Sequence, residues 1–536
     1  TIGILAAAPD AAHAQATQRS YDIPAGSLEA ALSRFGSASG ILLSFSADLT
    51  QGRSSPGLRG SYTVEAGLAA LLANTGLQAV RQADGSYQLR RAAPAPAPLA
   101  AAPAADAGAA SLPTVNVTAT ASRPGELPEA YAGGQVARGG GVGLLGNMDF
   151  METPFSTVTY TEERINDTQA KDIGSVIATT DASVYVSQSL GIQESFLMRG
   201  FSVNASDITF NGLPGMAPYM RGSTEMAERV EVFKGPSAML KGMPPAGGVG
   251  GSVNLVPKRA GDAPLTRLTT TYASDSQFGV HADVGRRFGE HKQFGLRFNG
   301  VYRDGDTAVN DQQHKMALGS LALDWRGDRV RLSADIYRQR ERLDGIDYFG
   351  IGTIANAVTQ LPAPLRGDTN LAAPWLFNTN STTAALLRAE WDISDQVTAY
   401  AAYGHRNASY DALIAQSTLL NNAGGMSTSL IRQYMLAELY SAEAGLRGHL
   451  RTGPVDHAWS LVATTYENKG GFRNIRNSTD PDFLRPLNFY NLQFGAAPNL
   501  GSFSTAGVPI SSKNQLHSVG LADRLSFLGD TVQLTL

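Results

Sequence analysis

From residue 265 onward, apolar and polar residues alternate in segments of about 9 to 13 residues, the length and two-residue rhythm of strands that cross a bilayer at a tilt. In FGLRFNGVYR one face carries Phe294, Leu296, Phe298 and Tyr302, and the other carries Arg297, Asn299 and Arg303. In YSAEAGLRGHLR the split is Tyr440, Ala442, Ala444, Leu446 and Leu450 against Ser441, Glu443, Arg447, His449 and Arg451. Similar splits occur over 330–336, 383–391 and 397–403, with turn signals at Arg326-Gly327-Asp328 and Ser394-Asp395. A soluble β-sandwich also uses short alternating strands, but a face bearing Arg, Glu and His is too polar for its interior. About ten or eleven such segments in meander order point instead to an antiparallel transmembrane barrel. The polar, Asn/Pro/Gly-rich stretches 345–381 and 468–513 then read as extracellular loops. The last residues, VQLTL, fall inside a segment, and an open sheet edge in hydrocarbon leaves backbone groups unpaired, so the barrel reads as incomplete.

Upstream the rhythm differs. Residues 17–93 read as strand, helix, strand, helix and hairpin, a small α+β domain. Its first helix follows Ser27 as N-cap and lines up Leu28, Ala31, Leu32 and Phe35; its second follows Thr63 and lines up Val64, Leu68, Leu71 and Leu72. Asp84-Gly85 signals the hairpin turn. Residues 94–111 are an Ala/Pro linker with no apolar period to bury. A β-prone island, LPTVNVTA, follows over 112–119, and a lone strand in a tether can pair only with an exposed sheet edge; a chance run of β-branched residues would look the same. Residues 121–147 read as a further flexible linker. Residues 148–259 form a mixed unit: a strand over 156–159, a helical turn from Thr161, a short amphipathic helix over 167–177, then strands near 184–186, 196–199, 208–210, 229–233 and 251–256. The first 16 residues, TIGILAAAPDAAHAQA, read either as the remnant of a secretory signal or as a plain Ala-rich terminus.

Composition narrows the chemistry. The 536 residues are 43% hydrophobic, so the chain folds, and a formal charge of −4 gives no basis for nucleic-acid binding. Cys is absent, which removes disulfides, Cys-ligated metal sites and thiol nucleophiles, and the eight His form no HExxH pair. No run approaches the roughly 18 apolar residues of a spanning helix. No paired carboxylates, Ser/His/Asp order or metal-ligand spacing stands out, so neither catalytic residues nor a metal site nor a cofactor is expected, and the chain does not read as an enzyme.

The stretches ERVEVFKGPSAML and AGGVGGSVNLVPKR resemble the plug domain of TonB-dependent outer-membrane receptors, and FLMRGF at 196–201 with Asn211-Gly212-Leu213 resembles the siderophore-receptor branch. The likeness extends over the units in order. It implies a periplasmic signalling domain at 17–93, a TonB box at 112–120 (Thr114, Val115, Asn116, Val117, Thr118), an α+β plug at 148–259, and about half of a 22-stranded barrel at 260–536. It further implies a monomer in the cell outer membrane with its N-terminal domain in the periplasm. The implied task is active uptake of a ferric siderophore, the iron arriving already chelated, with TonB, outer-membrane lipid and a periplasmic anti-sigma regulator as partners. Gln188, Met216, Tyr219 and Arg221 map to plug apices and are the implied ligand contacts; Arg199 and Arg229 are the implied plug latch, with barrel-wall partners expected beyond Leu536. Heme, cobalamin or carbohydrate as ligand, or a passive porin, are the alternatives. The Gly/Pro run after Lys234 lacks GxxxxGK[ST] and reads as turn geometry, not a phosphate cradle.

Overall fold

The computed structural model describes residues 19–91 and 127–536, apart from 40, 42, 45–46, 51–52, 74, 76, 82–86, 132, 187–192, 205–206, 244, 347–349, 477–483 and 501–506. The chain divides into two compact units, one within residues 1–116 and one within 117–536. The candidate TonB box, the Ala/Pro linker, the signal remnant, the Asp84-Gly85 turn and Gln188 lie outside the described residues.

In the first unit the strand Arg19–Ile23 pairs antiparallel with Leu58–Tyr62, and Leu77–Arg81 pairs antiparallel with Tyr87–Arg91. The helix Leu28–Ser39 presents Leu28, Ala31, Leu32 and Phe35 to Leu68, Leu71 and Leu72 around the helix Val64–Leu71, and all seven are buried. Thr63 caps the second helix by accepting from the Ala66 N–H, and Ser27 accepts from Ala30 at the start of the first. The stripes that the apolar spacing predicts are thus the stripes that meet.

The second unit nests one sheet inside another. Its inner domain is a plug built on a five-stranded sheet, in the order Ser156–Thr161, Ala227–Lys234, Gly251–Pro257, Thr209–Phe210, Leu213–Pro214. The Gly/Pro run joins two antiparallel neighbours, with Gly251 opposite Lys234. Gly251 has φ 150°, and a Cβ there would sit 2.2 Å from the Phe233 carbonyl oxygen, so the turn back into the sheet excludes a side chain.

Around this plug runs a thirteen-stranded sheet, eleven of whose strands follow in chain order from Leu265–Ala273 to Val532–Thr535, each antiparallel to the next. The expected face split holds: Phe294, Phe298 and Tyr302 are exposed on the outside, while Arg297, Asn299 and Arg303 are buried against the plug. One hydrophobic core is shared, with Val230, Val253, Leu255 and Phe210 of the plug packed with Val301, Leu318, Tyr337, Leu386 and Leu439 of the wall. Short turns at 289–293, 327–329, 395–396 and 453–454 mark one end of the wall, and the long connections 345–376 and 476–511 mark the other. No described helix is long and apolar enough to cross a membrane.

Three expectations are corrected. The helical turn expected from Thr161 is the helix Glu162–Asp167, but the helix expected over 167–177 begins only at Ile173 (Ile173–Ala178), because Gln169 turns at φ 52° and Asp172 caps it by accepting from the Ser175 N–H at 2.8 Å. The stretch 121–147 is not all linker: Gly139–Gly141 pairs with Asn147–Asp149 and joins the plug. Wall strands exceed the expected 9 to 13 residues, reaching 23 in Val397–Leu419 and 28 in Gly425–Thr452, because ladders continue past the bilayer into the long-loop end. The short strands Ile351–Ile354 and Leu484–Asn488, inside the expected loops, add to those ladders.

Candidate functional site

Two layers of contact fix the plug in the wall. The deeper layer is ionic. Arg221 follows the plug turn 216–220 and is almost fully buried, its Nε 3.1 Å from Glu341 on the wall and its Nη1 3.3 Å from Asp172 on the plug. His314 Nε2 lies 2.8 Å from the same Glu341 carboxylate. Asp172 is also the cap of the helix Ile173–Ala178, so one carboxylate ties that helix to the wall-bound guanidinium. Glu194 sits behind Arg221, its two oxygens accepting the N–H groups of Gly174 at 2.7 Å and Gly222 at 2.9 Å. Burial, and then the charge of Asp172, push the Glu194 carboxyl up to about 8 against the pull of Arg221 and those two N–H groups. For Arg221 burial works against the charge, but Glu341 and Asp172 outweigh it and hold the guanidinium ionised.

Further pairs repeat the theme. Lys258, at the plug's exit, reaches Asp283 at 3.2 Å and Glu162 at 3.0 Å; Asp283 in turn receives Arg297 at 2.7 Å. Arg259 meets Asp335 at 2.7 Å, and Arg303 of the wall meets Glu225 of the plug. Buried pairs of this kind add little net stability, but removing one member strands a charge, so they fix register. A cavity of about 570 Å³ lies beside this layer, lined by Lys171, Ser175, Arg221, Arg303, Gln339 and Glu341 among others.

The upper layer clasps the plug turn 216–220. Tyr337 donates its hydroxyl to the Met216 carbonyl, Arg406 Nη1 donates to the Ala217 carbonyl at 3.2 Å, and the Tyr219 N–H donates to Thr382 Oγ1 at 3.0 Å. The Arg406 guanidinium lies 5.2 Å from the Tyr219 ring centroid. Toward the long-loop end, Met220 packs with Leu343, Ile346, Tyr410, Ile414 and Ile431, and Tyr219 and Met435 border them. The packing above the turn is therefore a buried aromatic and aliphatic cluster, with Arg432 paired to Asp411 and set over Phe377. Among the described residues no group of three His, Cys, Asp or Glu side chains is placed to hold a metal ion.

These positions revise the candidate residues. Met216 is fully buried in the shared core and Arg221 is taken up by its ion pairs, so neither presents an open surface. Tyr219 alone of the described ligand candidates is only partly buried, bordering the apolar cluster toward the long-loop end. Arg199 is exposed at φ 52°, and Arg229 is buried; neither makes an ion pair among the described residues. The residues missed by sequence reading are Glu341, Asp283, Glu225 and Arg406. Alternation marks Glu341 and Arg406 as inward-facing, but which plug group each meets depends on how the two domains are nested.

Residues 149–249 match the TonB-dependent Receptor Plug Domain family, and residues 41–92 match the Secretin and TonB N terminus short domain family. The ferrichrome receptor FcuA of Yersinia enterocolitica is 36% identical over 415 residues, covering 77% of this chain and 53% of its own length. The ferric-pyoverdine BN7/BN8 receptor of Pseudomonas putida is 28% identical over 422 residues, covering 77% of this chain and 49% of its own length. The chain thus spans about half the length of the curated relatives it matches. The solved structure of BauA, the ferric preacinetobactin receptor from Acinetobacter baumannii, superimposes with TM-score 0.72 at 45% identity, over 76% of this chain and 60% of that one. The ferripyoverdine receptor of Pseudomonas aeruginosa superimposes with TM-score 0.63 over 97% of this chain and 64% of its own, at 16% identity that speaks for the fold alone.

Proposed function

We propose that the chain, a TonB-dependent receptor of the siderophore class with an N-terminal signalling domain, takes up a ferric siderophore across the outer membrane and reports its occupancy to a periplasmic anti-sigma regulator. The observation that carries this reading is the clasped plug turn 216–220. It stands beneath a buried apolar cluster toward the long-loop end, with Tyr219 only partly buried, and is tied to the wall by groups that a ligand pressing on Tyr219 would disturb. The relatives point the same way, since their names are those of ferrichrome, ferric-pyoverdine and ferric preacinetobactin receptors. A passive pore is disfavoured because plug and wall share one continuous core, which closes the lumen on this side.

Uptake against a gradient without a nucleotide site requires energy from a partner, and the β-prone segment Thr114, Val115, Asn116, Val117, Thr118 is the place for it to enter, by adding a strand to TonB. The test is uptake of a panel of iron-55-labelled siderophores, with heme and cobalamin alongside, by cells making the intact protein or its Val115→Pro variant. Pro removes a ladder donor, so the variant should bind ferric siderophore as the wild type does and import none. Import that survives V115P sinks the coupling, and uptake of heme or cobalamin in place of every siderophore sinks the ligand class.

A further inference from the structure

Arg406 sits at 1% exposure on the inward face of the strand Val397–Leu419, and among the described residues no carboxylate pairs with it. Its Nη1 donates to the Ala217 carbonyl at 3.2 Å, its Nε has no partner, and its titratable neighbours are three tyrosines, Tyr219, Tyr337 and Tyr466. By contrast Arg221, Lys258, Arg259 and Arg303 each meet a carboxylate. Arg229, likewise buried without an ion pair, has Glu228 and Glu231 beside it.

The hydrogen bond to Ala217 does not account for the charge. A neutral amide could make that bond, whereas a buried cation without a counter-charge is among the costliest groups a fold can keep. The carboxylates nearby are already engaged. Glu341 is taken by Arg221 and His314, and Asp207, which also neighbours Tyr466, accepts the Ala246 N–H at 2.8 Å. Toward the long connections, the next two rungs around Arg406 hold Thr382, Asn380, Ala408, Tyr410, Ala437 and Met435, none of them charged. Asn380 is 5% exposed, and neither its amide oxygen nor its amide nitrogen has a partner. The positive charge therefore stands alone beneath a neutral stretch of wall. Its cover is Tyr219, which is only partly buried and whose ring centroid lies 5.2 Å from the guanidinium. A group resting on the other face of that ring would be roughly 9 Å from the charge, in a setting that screens it poorly.

We propose that Arg406 is the counter-charge to the bound siderophore, and that the ligand is an anionic ferric chelate built on catecholate or hydroxycarboxylate oxygens, not a neutral hydroxamate one. Three doubly charged catecholates outweigh Fe(III) and leave the complex triply negative, whereas three hydroxamates leave it neutral. A guanidinium keeps its proton at every working pH, so the preference is permanent. The inference rests on the siderophore reading above and adds to it the charge of the ligand.

The test measures equilibrium binding to the intact protein, purified from outer membranes, of one tris-catecholate frame carrying Fe(III), Ga(III) or Ti(IV), beside a neutral ferric tris-hydroxamate. Ga(III) keeps the charge and shape of the ferric complex, while Ti(IV) keeps the shape and removes one negative charge. A unit charge at that distance in a partly wet site is worth about threefold in affinity, so wild type should bind the Ti(IV) complex about threefold more weakly than the other two. In Arg406→Gln that ratio should fall to about one, and the preference for ferric tris-catecholate over the tris-hydroxamate should shrink about 30-fold, whatever the weakened clasp on Ala217 does to binding as a whole. Arg406→Lys keeps the charge and should keep the ratio. If the Gln variant does not assemble, the wild-type ratio carries the measurement. Equal binding of the Ga(III) and Ti(IV) complexes by wild type, or a ratio that persists in R406Q, overturns the assignment. Binding of the neutral tris-hydroxamate with no tris-catecholate bound does the same. Heme or cobalamin bound in place of both chelates sinks the siderophore reading instead.

Discussion

Arg221 shows how a residue's task depends on what surrounds it. By its place in MAPYMR it belongs to a plug apex and reads as a ligand contact, yet the wall arrives above it and Glu341 takes the guanidinium. Arg221→Ala would leave Glu341 and Asp172 buried without their cation, a cost of about 3–5 kcal/mol concentrated on the plug–wall seam. The expected outcome is faster hydrogen exchange in Ala227–Lys234 and Gly251–Pro257 and greater entry of large antibiotics; unchanged exchange would remove Arg221 from the latch. Glu194 adds a pH dependence with a definite sign. Its carboxyl titrates near 4.5 when unfolded and near 8 when folded, so between those values the folded plug holds a proton that the unfolded chain has lost. Stability from this group is fully present below the lower value and falls as pH rises toward the upper one. Plug opening, measured by hydrogen exchange corrected for intrinsic rates, should become easier from about pH 5 to about pH 8. Glu194→Gln should flatten that slope, and a slope that persists in the variant would assign the proton elsewhere.

At the scale of elements, what could be read from sequence was what depends on a local period. Phe294, Phe298 and Tyr302 fall on the outside and Arg297, Asn299 and Arg303 on the inside because a strand alternates whatever it packs against. The helix Leu28–Ser39 was equally open to reading, since its stripe at 28, 31, 32 and 35 carries its own partner face. The plug resisted where structure is imposed from a distance. The helix expected over 167–177 begins only at Ile173 because Asp172 is its cap, serving both the Ser175 N–H and Arg221, a demand set by a residue 49 positions away. Gly139–Gly141 has no side-chain pattern at all, and it is ordered through backbone pairing and the Gly141 N–H bond to Glu231 at 2.9 Å. The long ladders of Val397–Leu419 and Gly425–Thr452 were underestimated for a related reason: beyond the bilayer the outward residues Asn407, Ser409 and Glu438 are polar, so the contrast between faces fades while the hydrogen bonds continue.

For the whole molecule, the proposed transport and signalling should be separable, and the reason lies in where the cores are. The first unit has a core of its own, with Tyr21, Leu28, Phe35, Leu68, Leu71, Tyr87 and Leu89 buried together, including the Tyr21 and Phe35 rings at 4.7 Å. The core shared by plug and wall draws on residues from Val136 onward and takes nothing from that set. The order of the units was legible in the sequence, but the nesting of the plug was legible only through the family resemblance, because enclosure is a relation between domains that no local period encodes. Since folding of the plug and wall uses no residue of the first core, deleting 17–93 should leave the seam of Arg221, Glu341, Lys258 and Asp283 intact and siderophore uptake near the wild-type rate. What the deletion removes is the domain that would carry occupancy to a periplasmic regulator, so siderophore-dependent induction of the receptor's own synthesis should vanish. Uptake kinetics and a transcriptional reporter measured in the same cells check both halves. Loss of uptake together with induction would mean that the first unit serves transport as well, and induction that persists without residues 17–93 would move the signalling surface elsewhere in the chain.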